Sequence, residues 1–88
     1  MNPLTQQPNI GKTLADKLNA IGINTQEELK EMGSENAIVK IATLDNNGAC
    51  LNMLYALEGA IQGIRWHGLE QHKKQELKAF YNRLAKSI

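Results

Sequence analysis

The chain has 88 residues, 42% of them apolar and 22% charged, with a formal net charge of +1 and a mean hydropathy of −0.40. That length suits one domain with a modest core. No run approaches the roughly 18 apolar residues of a membrane span, and Met1–Thr5 lacks the basic and apolar regions of a signal peptide. Cys50 is the only cysteine, which excludes an internal disulfide, and so small a net charge is no footprint of a strong nucleic-acid binder.

Helical apolar spacing recurs along the whole chain and no window alternates with a period of two. The expectation is an all-α, compact five-helix domain covering residues 1–88, in the cytoplasm of a bacterium and away from membranes. The chain before Pro8 is short and holds Pro3, so any helix there is one turn at most. Ile10, Leu14, Leu18 and Ile21 form the first apolar stripe, with Ala15 beside it. Gly22 ends that helix, because glycine takes the left-handed conformation without steric cost. Thr25 and Glu28 fit a capping box at the start of the second helix, where Glu27 and Glu28 also lie near its positive end. Leu29 and Met32 face inward and Gly33 stops the helix.

Ser34 is the expected cap of the third helix, backed by Ile38, Ile41 and Ala42. Asp45-Asn46-Asn47-Gly48 reads as a turn. The fourth helix is expected from about Ala49 to Gly63. Leu51, Leu54, Tyr55, Leu57 and Ile61 cover more than half its circumference, which marks it as central. Residues 64–69 connect to a last helix, about Glu70 to Lys86, with Leu77, Phe80, Tyr81 and Leu84 on one face.

Charge is unevenly spread. Residues 24–64 carry an excess of four negative charges and residues 65–88 an excess of four positive ones. The contrast forms a basic face or reflects helix charges that attract one another across the fold. Lys73, Lys74, Lys78 and Arg83 on the last helix are expected to be a solvated face.

The turn Pro8-Asn9-Ile10-Gly11-Lys12-Thr13 carries the clearest chemistry. In a helix-hairpin-helix element a short turn opens a helix whose free amides accept a DNA phosphate oxygen. Here Ile10 supplies the apolar plug and Gly11 the tight turn, while Asn9 stands where such a turn has its first glycine; asparagine tolerates left-handed backbone. Ala15 permits close helix contact, and Lys12 and Lys17 add charge. The candidate nucleic-acid contacts are therefore Asn9, Ile10, Gly11, Lys12, Thr13 and Lys17. The alternative is a turn that only packs the first helix onto the core.

The order Pro8-Asn9-Ile10-Gly11, Leu18-Asn19, Gly22-Ile23, Thr25, Glu28-Leu29, Gly33 resembles the C-terminal domain of the TfoX/Sxy competence regulators. The block Cys50-Leu51-Asn52-Met53-Leu54-Tyr55-Ala56-Leu57-Glu58-Gly59-Ala60, then Trp66, Leu77 and Phe80-Tyr81, extends the resemblance to nearly the whole chain. It implies an all-helical domain related to helix-hairpin-helix (SAM-like) folds and a link to DNA uptake or transcriptional regulation. Full-length members of that family carry a further N-terminal domain, which is expected to be missing here.

Other residues invite plainer readings. Asn52 is expected to tie a neighbouring loop, and Glu58 to pair with Arg65 or a lysine of the last helix. Gly59 and Gly63 suggest close approach of another helix, within the domain or across a homodimer. Trp66 and His67 are ring types that can stack on a base, but a lone tryptophan in so small a domain is expected to cover the core edge, and Cys50 to be a small buried hydrophobe. His67 and His72 lack the partners of a zinc site. No acid–base pair, phosphate loop or metal set supports catalysis, so neither an enzyme nor a cofactor is expected. Two readings follow: a regulatory domain that touches DNA backbone without sequence preference, or a protein-interaction or self-association module.

Overall fold

In the computed structural model, which describes residues 3–45 and 48–87, the helices start and stop at the chain's own turn residues. A 3-10 turn, Pro3–Gln6, precedes α1 (Lys12–Ala20), α2 (Gln26–Met32), α3 (Ser34–Leu44) and α4 (Leu51–Gln62). A second 3-10 turn, Trp66–Gly68, leads into α5 (Gln71–Ser87). There is no strand among the described residues. The all-α, five-helix expectation therefore holds.

The caps show why the boundaries fall there. After α1 the amide of Ile23 reaches back to Leu18 O (2.9 Å) and that of Gly22 to Asn19 O (3.0 Å). Gly22 has φ +91°, so this is the double-bonded glycine ending that satisfies the last carbonyls of a helix. The same arrangement ends α4, with Gly63 at φ +76° and Ile64 N–H on Gly59 O at 2.9 Å. Thr25 Oγ1 accepts from Glu28 N–H at 3.1 Å. The return bond of this capping box goes one residue further out than expected, from Asn24 N–H to Glu28 Oε1 at 2.8 Å.

Two other boundaries differ from the sequence reading. Ser34 does not cap α3; Gly33 precedes the helix at φ +85°, and Ser34 Oγ donates to Glu58 Oε1 at 2.7 Å. Ser34 is the first residue of the helix, one place beyond the capping position from which a hydroxyl accepts from the helix amides. Cys50 lies outside α4 in extended backbone, φ −154°, and is exposed. The apolar helix expected to bury it begins one residue later. The 45–48 turn closes through Gly48 N–H on Asp45 O at 2.8 Å; Asn46 and Asn47 lie outside the described residues.

The core is built from one stripe per element. Leu4, Ile10, Leu14, Leu18, Ile23, Leu29, Ile38, Ile41, Leu54, Leu57, Leu69 and Leu77 are buried and cluster together. Helix α4 is central: it packs against α2, α3, α5 and the 66–68 turn. Tyr55, Trp66, Phe80, Tyr81 and Leu84 pack half-buried against the same cluster, so Trp66 covers the core edge as expected. Leu4 is not among the core residues expected from sequence, yet it is fully buried. Burying one leucine contributes about 1.5–3 kcal/mol, enough to anchor a 3-10 turn too short to persist alone. The segment ahead of Pro8 is thus the single turn expected.

Candidate nucleic-acid interface

The turn that enters α1 is shaped by Asn9. It is the one non-glycine residue with positive φ among those described, at +70°. Asparagine tolerates that region better than other side chains because its short amide bonds locally. Here the amide bonds far along the chain instead. Nδ2 donates to Ile64 O at 2.9 Å and to Ala56 O at 3.4 Å, while Oδ1 accepts from Trp66 N–H at 3.1 Å. One side chain therefore ties the start of α1 to the end of α4 and the turn beyond it.

Gly59 exists to admit that amide. A Cβ at residue 59 would lie 2.5 Å from Asn9 Nδ2 and 2.8 Å from Ile64 O. The close approach expected at the α4 glycines is real at Gly59, but a side chain and a loop make it rather than a second helix. A Cβ at Gly63 would meet nothing within 4 Å, so that glycine serves only the left-handed helix ending.

Gly11 departs from its expected role. Its backbone is extended, φ −91° and ψ −175°, so the left-handed residue of the turn is Asn9 and not Gly11. Gly11 is exposed and a Cβ there would touch nothing within 4 Å. It leaves the mouth of the turn clear. The first bond of α1 runs from Ala15 N–H to Gly11 O at 3.0 Å. The amides of Lys12, Thr13 and Leu14 thus occupy the open first turn, where no carbonyl of the helix can reach them and the helix dipole favours an anion. No side chain caps this end.

The remaining candidates fall into place around the turn. Ile10 is buried and plugs it into the core; Thr13 is exposed. Lys12 is exposed and reaches Asp16 Oδ2 at 3.2 Å, a surface pair of little energetic weight that an anion can displace. Lys17 is further along α1, its ammonium 3.9 Å from Asp45 Oδ2 beside Gly48. The fold therefore brings together Asn9 to Thr13, and leads Lys17 toward the 45–48 turn.

Beside the clamp stands a group of rings built on Trp66 and His67. Trp66 stacks on Tyr55, centroids 5.7 Å apart and 19° between planes, and on His67 at 3.9 Å and 27°. Lys74 Nζ lies 5.8 Å from a Trp66 ring centroid and donates to His67 O at 3.4 Å. Arg65 and His67 are exposed.

Elsewhere, Glu58 takes Ser34 and Gln62 as partners, the latter donating to Oε2 at 2.8 Å, in place of Arg65 or a lysine of α5. Asn52 is exposed and ties no loop among the described residues. No group of three His, Cys, Asp or Glu side chains that could hold a metal occurs among those described. No described helix is long and apolar enough to cross a membrane.

Residues 1–81 match the TfoX C-terminal domain family. This chain belongs to that family. The TfoX C-terminal domain is a regulatory family, not a catalytic one. The fold is similar to a crystal structure of an uncharacterised protein from Listeria monocytogenes in a triclinic form. The two share 52% identity over 92% of this chain and 91% of that one, with a TM-score of 0.89. A protein of unknown function from Listeria monocytogenes, in a tetragonal form, is 51% identical over 91% of this chain and 98% of that one, TM-score 0.87. No curated protein matches the chain. At this identity the TfoX C-terminal architecture is shared nearly end to end, but neither relative comes with an assigned activity.

Proposed function

We propose that this TfoX C-terminal domain is a single non-enzymatic regulatory unit that contacts DNA backbone, without sequence preference, through the open first turn of α1. The observation that carries this reading is the Asn9 clamp. Three hydrogen bonds to Ala56, Ile64 and Trp66 hold a left-handed turn in place, so the amides of Lys12 and Thr13 need no ordering when a phosphate arrives. Preorganised donors of this kind bind anions at lower entropic cost. In this reading Asn9 and Ile10 position the turn, Gly11 leaves room for the phosphate, Lys12 and Thr13 bind it, and Lys17 adds charge further along the helix. The uneven charge supports it as well. Residues 65–87 carry an excess of positive charge, and of their basic side chains only Lys73 forms an ion pair among the described residues, with Glu76.

The test is a titration with duplex DNA at low and moderate salt. Binding should be present at low salt and weaken steeply as salt rises. Lys12→Glu should weaken it at every sequence tested. Folded protein that binds no duplex at low salt refutes the reading.

A second reading, a protein-interaction module, is favoured by one observation. Leu44 is 63% exposed and lines an open apolar groove with Ala20, Ile21 and Val39 between α1 and α3. Leu44→Ser should abolish self-association, seen by size-exclusion chromatography, if this groove is the contact.

A further inference from the structure

The Tyr55–Trp66–His67 run has a property that core packing does not require. Tyr55 and Trp66 are half-buried and contribute to the core edge. His67 contributes nothing there: it is exposed, and its imidazole is held against the indole at 3.9 Å. Its backbone lies in the 3-10 turn Trp66–Gly68, and Lys74 Nζ reaches His67 O at 3.4 Å. A flat ring held rigid in solvent is what an unpaired base stacks on. The rings also sit among cations: Arg65 precedes them and Lys74 lies over Trp66.

The two features are joined. Asn9 Oδ1 accepts the amide proton of Trp66 at 3.1 Å, so the residue that locks the α1 turn also fixes where the ring run begins. A phosphate on the α1 amides and a base on His67 would thus be held in one rigid relationship. A duplex hides its base faces inside the stack; a single strand offers both groups at once.

We propose that the Tyr55–Trp66–His67 stack, flanked by Arg65 and Lys74, is a base-stacking platform for single-stranded DNA. This rests on the backbone contact at the α1 turn proposed above and adds the class of nucleic acid to it. Preference for a single strand is diagnostic. A duplex carries the denser phosphate charge, so a purely electrostatic surface favours the duplex, whereas a stacking platform reverses the order.

Trp66 is the chain's only tryptophan, so its fluorescence reads the platform directly. The experiment titrates the protein with oligo-dT, with a duplex of equal length, and with heparin, a polyanion without bases. The expected result is quenching of Trp66 by oligo-dT and not by heparin, with oligo-dT bound more tightly than the duplex. His67→Ala should weaken oligo-dT binding about ten-fold, the loss of one stacked base, and remove the preference for the single strand. His67→Phe, which keeps a flat ring, should retain it. His67 is exposed, so neither variant threatens folding. Duplex binding that responds to Lys12→Glu, with no single-strand preference and no effect of His67→Ala, overturns the platform and leaves the α1 contact standing. Failure of all three probes to bind overturns both.

Discussion

The amide of Asn9 occupies the space above Gly59: a Cβ on residue 59 would come within 2.5 Å of Asn9 Nδ2. This pairing explains two residues at once. An asparagine at φ +70° and a glycine inside a helix are each locally unfavourable, the second by about 1 kcal/mol relative to alanine. Together they let α1 lock onto the end of α4.

Gly59→Ala should therefore destabilise the protein although it improves helix propensity. The added methyl meets Asn9 Nδ2 and the backbone oxygen of Ile64, and the second of these cannot swing aside. Overpacking of this kind costs about 1–3 kcal/mol. Thermal unfolding should show the melting temperature falling by several degrees; an unchanged or higher value would contradict the clamp.

Replacing Asn9 separates its two contributions. Asn9→Gly keeps the left-handed backbone but loses the bonds to Ala56, Ile64 and Trp66. Asn9→Ala loses the bonds and adds backbone strain. Both should destabilise, with alanine the worse by roughly 1 kcal/mol. Equal stabilities in urea denaturation would mean that the backbone conformation carries no cost here.

Ser34→Ala should cost about 1–2 kcal/mol by the same measurement. Ser34 is buried, and its hydroxyl donates to Glu58 Oε1 across the α3–α4 contact. Glu58→Gln, which keeps an oxygen able to accept, should cost less than Ser34→Ala. The opposite order would show that the carboxylate charge, and not the hydrogen bond, matters.

Gly11→Val gives a cleaner handle on the turn than any clamp variant. The backbone at Gly11 is extended and a Cβ there meets nothing, so stability should stay within about 0.5 kcal/mol of the parent. The branched side chain would stand over the open amides of α1. Circular dichroism should report an unchanged fold while duplex affinity drops. Undiminished binding by the folded variant would exclude the turn as the contact.

Thr25→Ala tests a cap that is legible in four residues of sequence. Removing the hydroxyl that accepts from Glu28 N–H should cost about 1 kcal/mol, visible as a lower urea midpoint with an unchanged slope.

Helix number, helix order and most boundaries are legible in the sequence because their causes are local. An apolar stripe repeats within four residues, a capping box closes within three, and a glycine ending is settled by the glycine's own φ. The same locality makes the turn at Asn9–Thr13 recognisable and carries the resemblance to the TfoX C-terminal family. Cys50 and Ser34 escape such rules for one reason: each sits at a helix boundary, where packing rather than neighbouring residues sets its surroundings.

The remaining features arise at long range. Asn9 bonds to partners 47, 55 and 57 residues away, and Ser34 to one 24 away. No local rule selects such partners, since they depend on how α1, α3 and α4 pack. That packing turns Asn9 from a stand-in for glycine into a clamp, gives Gly59 its purpose, and sets Trp66 and His67 in one stack beside the turn. Short-range chemistry thus dictates the helices and the family, while hydrogen bonds between distant segments decide how the turn ahead of α1 is held against α4 and the 66–68 turn.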